Sequence, residues 1–259
     1  MTDDAPTHEA PEEESYFVSM TDIMVGLLFI FIIMLMTFAL QYRGTTATLK
    51  SADELAMEAK RKLLTDVENY LQEHGVKVTV DMQQGVIRLP ESVLFEKARA
   101  DLGEGGRRAV GHVAQALAIA LPCYVAARPP NCTGPRTAWL DAVFIEGHTD
   151  DDPIRGGRFR DNLELSAVRA VNTYRELTEP AAGLSDAPEQ LASGKFLTLL
   201  RNRDQQPVLG FSGYGEQRPI TRDPAAKDQN RRIDLRFLMA PLSTEELEAL
   251  AAELRKVSP

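Results

Sequence analysis

The sequence predicts an α+β chain: a single N-terminal transmembrane helix, then a domain in which a mixed β-sheet is covered by helices. Two observations predict it. Phe17 to Leu40 is an apolar run of 24 residues broken by one acid, Asp22. Beyond it, short alternating runs such as "VKVTVDM" and "RRIDLRFLM" are interleaved with stretches of helical spacing, a pattern that builds helix-on-sheet layers.

The apolar run comes first. As a helix it would reach about 36 Å at 1.5 Å per residue, against a hydrocarbon core of about 30 Å. A signal peptide would carry a basic n-region and a shorter apolar core. Here Asp3, Asp4, Glu9, Glu12, Glu13 and Glu14 precede the run with no Lys or Arg among residues 1–15. That tail, with Pro6 and Pro11, is too poor in apolar surface to fold alone. Arg43, Lys50, Lys60, Arg61 and Lys62 follow the run, so the charge rule alone would put the C-terminal part in the cytoplasm.

Asp22 would lie about 8 Å along that helix from Phe17. A central Asp costs roughly 2.5–3.5 kcal/mol to insert. It could snorkel to the headgroups or mark the helix end. Ser19 at i−3 and Gly26 at i+4 share its face, however, and a small, partly polar face packs against partner helices. Intramembrane carboxylates mark ion or proton paths by default.

The rest of the chain follows in order. Thr46 to His74 reads as an amphipathic helix, a stalk or plug, stopped by Gly75. "VKVTVDM" and "VIRLP" are strands about a "QQG" turn. Arg107 to Ile119 has helical spacing, "CYVAARPPNCTGP" is a loop, and "LDAVFIEGH" is a buried strand. Leu163 to Leu177 is a helix, and "LGFSGYG" and "RRIDLRFLM" are late strands. Ser243 opens a last amphipathic helix, with Glu246 completing a capping box.

Several functions are disfavoured. The net charge is −9 and no Lys/Arg block reads as a phosphate-binding patch, so nucleic acid is not expected. "GFSGYG" fits neither G-x-S-x-G nor G-x-G-x-x-G, and no enzyme or cofactor signature is present. Two cysteines are too few for a disulfide scaffold or a zinc site. His148 beside Asp150, Asp151 and Asp152 has no second His at ligand spacing, so a solvated acidic loop is expected there and no metal.

The most specific stretch is "EGHTDDDPIRGGRFRDNLELSAVRAVNTYREL", residues 146–177. It resembles the signature of OmpA-like peptidoglycan-binding domains, G-H-T-D followed by N-x-x-L-S-x-x-R-A. "ESVLFEKARADL" is similar to that family's opening motif, and "GYGEQRP" and "NRRIDLRF" to its closing ones. The form "HTDDDP…NLELSAVRA" resembles most the MotB family of stator subunits, whose chains also begin with a short tail and one helix carrying an Asp near its start. The acidic tail and "MTDIMVGLLFIFIIMLM" look like the MotB-like subunit of Zorya anti-phage defence systems.

The resemblance implies an organisation and a site. Residues 1–15 would be a cytoplasmic tail, 16–41 the membrane helix and 42–75 a linker or plug. Residues 76–240 would be the OmpA-like domain and 241–259 a C-terminal helix. The chain would be single-pass in the bacterial inner membrane with its larger domain in the periplasm, overruling the charge rule, because peptidoglycan is there. Asp22 would carry the ion. Asp150 and Arg169 would hold the amine and carboxylate of a diaminopimelate stem, with Thr149, Asn162 and Leu165 lining the site and Arg231 and Arg232 on the strand behind. One anion and one cation suit a zwitterion, and Arg offers a carboxylate two parallel bonds; equally, Asp150 and Arg169 could simply pair with each other. In the periplasm Cys123 and Cys132 would form a disulfide. The implied partners are peptidoglycan, a second copy of the chain, and a MotA-like multi-spanning subunit, five around two. A flagellar stator is the alternative within this class, and a passive wall tether the alternative outside it.

Overall fold

A computed structural model describes residues 13–96, 99–154, 157–179 and 188–257, and within them the side chains outside 13–19, 43–50, 188–192 and 255–257. The acidic charges of the tail and the Ser19 side chain lie outside the described residues. The chain divides between Lys50 and Ser51 into two units, and the first helix, α1 (Glu13–Glu73), contributes to both.

In the first unit, Met20–Tyr42 is the one segment among the described residues long and apolar enough to cross a membrane, with none of its surface buried. Asp22 is exposed near its start, and nothing lies within 4 Å of where a Gly26 Cβ would sit. An apolar stripe this complete has no core to face in water.

The second unit is built on a five-stranded sheet. Its strands are β1 (Thr79–Asp81), β2 (Val86–Pro90), β3 (Trp139–His148), β4 (Leu209–Gly213) and β5 (Arg232–Ala240), in the order β1-β2-β5-β3-β4. Only β3 and β4 run parallel. Period-2 alternation turns Ile87, Leu89, Val143, Ile145, Ile233, Leu235 and Phe237 to one face, where all are buried. The other face carries Arg88, Glu146 and Asp234, which are neighbours across three strands.

Helices cover the apolar face. Leu63, Leu64, Val67 and Leu71 of α1 are fully buried in one core with Val113 and Leu117 of α3 (Glu104–Ala120) and Ala170 and Leu177 of α4 (Asn162–Thr178). The expected stalk or plug is thus, from residue 51 on, a wall of this unit: the i, i+4, i+8 spacing of Leu63, Val67 and Leu71 makes a core face. Gly75, with φ +72°, follows its end. The start of this stretch is also covered. Ala52 packs with Leu242, Leu247 and Leu250 where α6 (Thr244–Val257) docks, and the Trp139 indole donates to Glu246 at 2.9 Å. The capping box closes α6, with Ser243 N–H donating to Glu246 at 2.8 Å and Glu246 N–H to Ser243 Oγ at 3.3 Å.

The helix α5 (Pro188–Leu199) and the 3-10 segment Pro224–Asn230 are not among the elements the sequence predicts. A short helix α2 (Glu91–Leu94) follows β2 directly.

Candidate functional site

The site gathers where β3 ends, α4 begins and β5 begins. Two glycines let α4 approach the sheet. A Cβ on Gly147 would stand 2.1 Å from the Ser166 carbonyl oxygen, and one on Gly213 2.5 Å from the backbone of Ala167. With α4 seated this closely, Ser166 Oγ accepts from Gly215 N–H at 2.9 Å, fastening the loop after β4. Asp161 caps α4 by accepting from Glu164 N–H at 2.8 Å. Asn162 Nδ2 donates to the carbonyls of Asp150 at 3.2 Å and Asp152 at 3.0 Å, so the loop leaving β3 is tied to the start of α4. Leu165 is buried beneath it.

Four charges line up on this frame. Arg169, 2% exposed, donates to Glu91 Oε1 and, through Nε, to the Arg99 carbonyl at 2.8 Å. Glu91 Oε2 lies 2.6 Å from Arg231 Nε, and Arg231 Nη1 donates to Asp150 Oδ2 at 2.6 Å. The order Arg169–Glu91–Arg231–Asp150 alternates in sign and sums to zero. Asp150 and Arg169 therefore do not pair with each other; two further charges stand between them. Burial works against both guanidinium charges. For Arg169 burial prevails and its pKa is lowered despite Glu91. For Arg231 the bond to Asp150 and the charge of Glu91 outweigh burial, and its pKa is raised.

Glu91 is the member that sequence reasoning missed. It stands first in "ESVLFEKARADL", and its N–H donates to the Arg231 carbonyl at 2.9 Å, so the side chain is carried to the mouth of β5. A carboxylate immediately after the strand-ending Pro90 was the available signal.

Arg232 departs from the expectation. Consecutive strand residues face opposite ways, so Arg231 turns to Glu91 and Asp150 while Arg232 turns to Asp234, with Nε 2.9 Å from Oδ1. It stands apart from the four-charge line. The loop after His148 also differs in part from the solvated acidic loop expected. Asp151 and Asp152 are exposed, at 2.6 and 2.7 Å from Lys227 Nζ, whereas His148 is 1% and Asp150 7% exposed.

Beside the charge line lies a cleft of about 300 Å³. Thr149, Asp151, Glu216, Arg222, Asp223 and Lys227 line it, so it presents both signs of charge. Thr149 Oγ1 is buried there without a hydrogen-bond partner. An open polar cleft with both charges at its rim suits a zwitterionic ligand better than an apolar one. Glu146, His148 and Asp234 offer ligand atoms within 4.8 Å of one another, the arrangement a metal would need. Both Glu146 oxygens are bonded to Arg236, at 2.9 and 2.8 Å, and Asp234 to Arg232. These carboxylates are already neutralised by cations. Cys123 and Cys132 are joined, with Cα atoms 5.6 Å apart, and clasp the loop after α3.

No family model matches the chain. It is 23% identical over 197 residues to Motility protein B of Bacillus subtilis (strain 168), an alignment covering 73% of this chain and 59% of that protein. The chain thus spans less than two thirds of that relative's length. Solved structures resemble it at similar levels. A MotB-like protein from Desulfovibrio vulgaris shares 23% identity with a TM-score of 0.47, covering 74% of this chain and 96% of that one. The periplasmic domain of Helicobacter pylori MotB, residues 78–256, shares 21% with a TM-score of 0.39, over 67% and 87%. The cell wall anchor of the T6SS from Pseudomonas aeruginosa shares 19% with a TM-score of 0.42, over 70% and 99%. The similarity that carries weight is therefore one of sequence, to Motility protein B, across most of this chain.

Proposed function

We propose that this chain is the wall-anchored subunit of an ion-driven rotary membrane motor of the MotB kind, in a Zorya-type anti-phage system. The observation that carries it is one carboxylate, Asp22, inside a wholly exposed apolar helix, on a chain whose other unit holds a zwitterion-matching charge line. Met20–Tyr42 spans the inner membrane, with the tail in the cytoplasm and the larger unit in the periplasm. Two copies stand inside a ring of five MotA-like subunits. Gly26 leaves room for a partner helix beside Asp22. Ions bind and leave Asp22, and the larger unit grips peptidoglycan so that torque has a fixed reference. The acidic tail and the sequence around Asp22 support the defence setting over a flagellar one.

Asp22→Asn tests the motor. Asn keeps the size and much of the hydrogen bonding but cannot ionise, so assembly and wall binding should persist while phage protection is lost. A fully protective Asp22→Asn variant that still co-purifies with its multi-spanning partner would leave only a passive tether. Asp150→Ala tests the grip: pull-down on purified sacculi should fail, and wild-type retention would sink the site.

A further inference from the structure

The face of the sheet away from the core carries a second cleft, of about 570 Å³, that the charge line does not use. Arg88, Arg218, Arg232, Arg236 and His148 line it together with Asp81. Each nearby carboxylate has its own guanidinium. Asp81 Oδ2 lies 2.8 Å from Arg88 Nη2, Asp234 Oδ1 2.9 Å from Arg232 Nε, and Glu146 Oε2 2.8 Å from Arg236 Nη2. Four cations against three carboxylates leave one positive charge over. The surplus sits on Arg218, which is exposed and lies 3.8 Å from the Tyr214 ring centre. It has no carboxylate partner among the described residues.

A second observation is independent of that count. His148 is 1% exposed, yet neither ring nitrogen has a hydrogen-bond partner. Nε2 stands 3.4 Å from Asp234 Oδ2 and 3.9 Å from Glu146 Oε2, off hydrogen-bond geometry. Arg88 Nε is likewise buried and unpartnered, 3.9 Å from Asp234 Oδ1. Buried polar groups without partners are rare in native proteins, and Arg88 Nε and the protonated nitrogen of His148 each ask for an acceptor. Glu146, His148 and Asp234 could be taken for a divalent metal site. A cation would have to displace Arg236 and Arg232 from their carboxylates and sit among guanidinium groups, whereas an anion meets unfilled donors and a surplus positive charge, the nearby Asp234 and Glu146 being already neutralised by Arg232 and Arg236.

We propose that this cleft is an oxyanion site, taking a phosphate or carboxylate group between Arg218, Arg88 Nε and His148. Arg is suited to either by its planar fork of donors. Pro219 lines both this cleft and the one beside the charge line, so an extended anionic ligand could reach both.

The test uses the full-length protein in detergent, with thermal unfolding followed at constant ionic strength. Inorganic phosphate and acetate, each at 10 mM, are compared with chloride. We expect phosphate, acetate or both to raise the unfolding temperature by several degrees. The relative size of the two shifts tells a phosphoryl from a carboxyl ligand. Arg218→Gln should weaken the anion at least tenfold, Arg218→Lys less, and Lys227→Gln in the other cleft not at all. No shift with either anion overturns the proposal. So does an undiminished shift in Arg218→Gln, or one abolished by Lys227→Gln. Stabilisation by zinc alone, lost in His148→Gln, would instead identify a cation site and refute the assignment.

Discussion

Glu91→Ala is the perturbation that most directly examines the charge line. Glu91 is shared, bonding the nearly buried Arg169 on one side and Arg231 on the other. Removing it does not affect the two equally. Arg231 keeps Asp150 at 2.6 Å and is partly exposed, so water and Asp150 hold it. Among the described residues Arg169 keeps the Arg99 carbonyl and the face of the Phe95 ring, 5.1 Å from its guanidinium carbon. A buried charge stripped of its partner costs about 3–5 kcal/mol. For a unit of this size about 2–4 °C accompanies each kcal/mol, so the unfolding temperature should fall by about 6–20 °C. Glu91→Gln keeps shape and one acceptor and should cost less, about 1.5–3 kcal/mol, the value of a hydrogen bond to a charged group. Arg169→Met in the Glu91→Ala background removes the stranded charge and should recover much of the loss, because an apolar replacement of a buried pair is often neutral. The measurement is thermal and denaturant unfolding, in detergent, of wild type, Glu91→Ala, Glu91→Gln, Arg169→Met and the double variant, with Glu91→Ala and Arg169→Met read as a double-mutant cycle. A Glu91→Ala protein within about 1 kcal/mol of wild type, or a double variant no more stable than the single, would refute the reasoning.

Three further outcomes are expected. Replacing Cys123 and Cys132 by Ser opens a loop of nine-residue separation and should cost about 2–3 kcal/mol by loop-closure entropy; thiol labelling of protein taken from its native compartment should find no free thiol. Burial favours the neutral acid at Glu146, but the donors facing it outweigh that and hold its pKa at about 2, below the ordinary 4.5. We place the weight on Arg236, at 2.8 and 2.9 Å, over His148, 3.9 Å away. The folded pKa being depressed, this stabilisation is complete above about pH 4.5 and is lost as pH falls through about 2; it is on the order of 3 kcal/mol. Glu146→Gln should flatten the acid limb of a stability-against-pH curve, and an unchanged limb would count against the pair. Gly147→Ala sets a Cβ 2.1 Å from the Ser166 carbonyl oxygen and should cost at least the 1–3 kcal/mol typical of overpacking. It should also lower sacculus retention, since Arg169 rides on the displaced helix.

Much of this was legible beforehand because periodicity is local. "VIRLP" became β2 at the same residues, "LDAVFIEGH" fell within β3, and the Ser243–Glu246 box closed α6. What was not legible depended on tertiary partners. Residues 51–73 carry the spacing of a helix, but no sequence rule says whether its apolar face meets a pore, a second copy or its own sheet. The helix α5 announces itself weakly, with a Gly and two Ser or Thr among twelve residues. For Glu91 the motif was visible and the role was not, because a carboxylate acquires meaning only from the two arginines that fold onto it. Arg232 is different. Alternation along "NRRIDLRF" already places neighbouring arginines on opposite faces, and family likeness drew both to one side.

The exposure of the four charges suggests how they divide the work. Among their side chains Arg231 is 29% and Asp150 10% exposed, whereas Glu91 is 9% and Arg169 2%. A ligand arriving from solvent meets Arg231 and Asp150 first, and it can bond either only by loosening the bond between them. A zwitterion can do this without net loss: its amine takes the carboxylate that Arg231 releases, and its carboxylate takes the guanidinium. A simple cation or anion would satisfy one partner and strand the other. For such a ligand, Glu91 and Arg169 would be the fixed end of the line, holding Arg231 in place while Asp150 changes partners. The resemblance gave Asp150 and Arg169 equal standing; along the charge line they differ. The structure sets them at opposite ends of it, one at the mouth and one at the root.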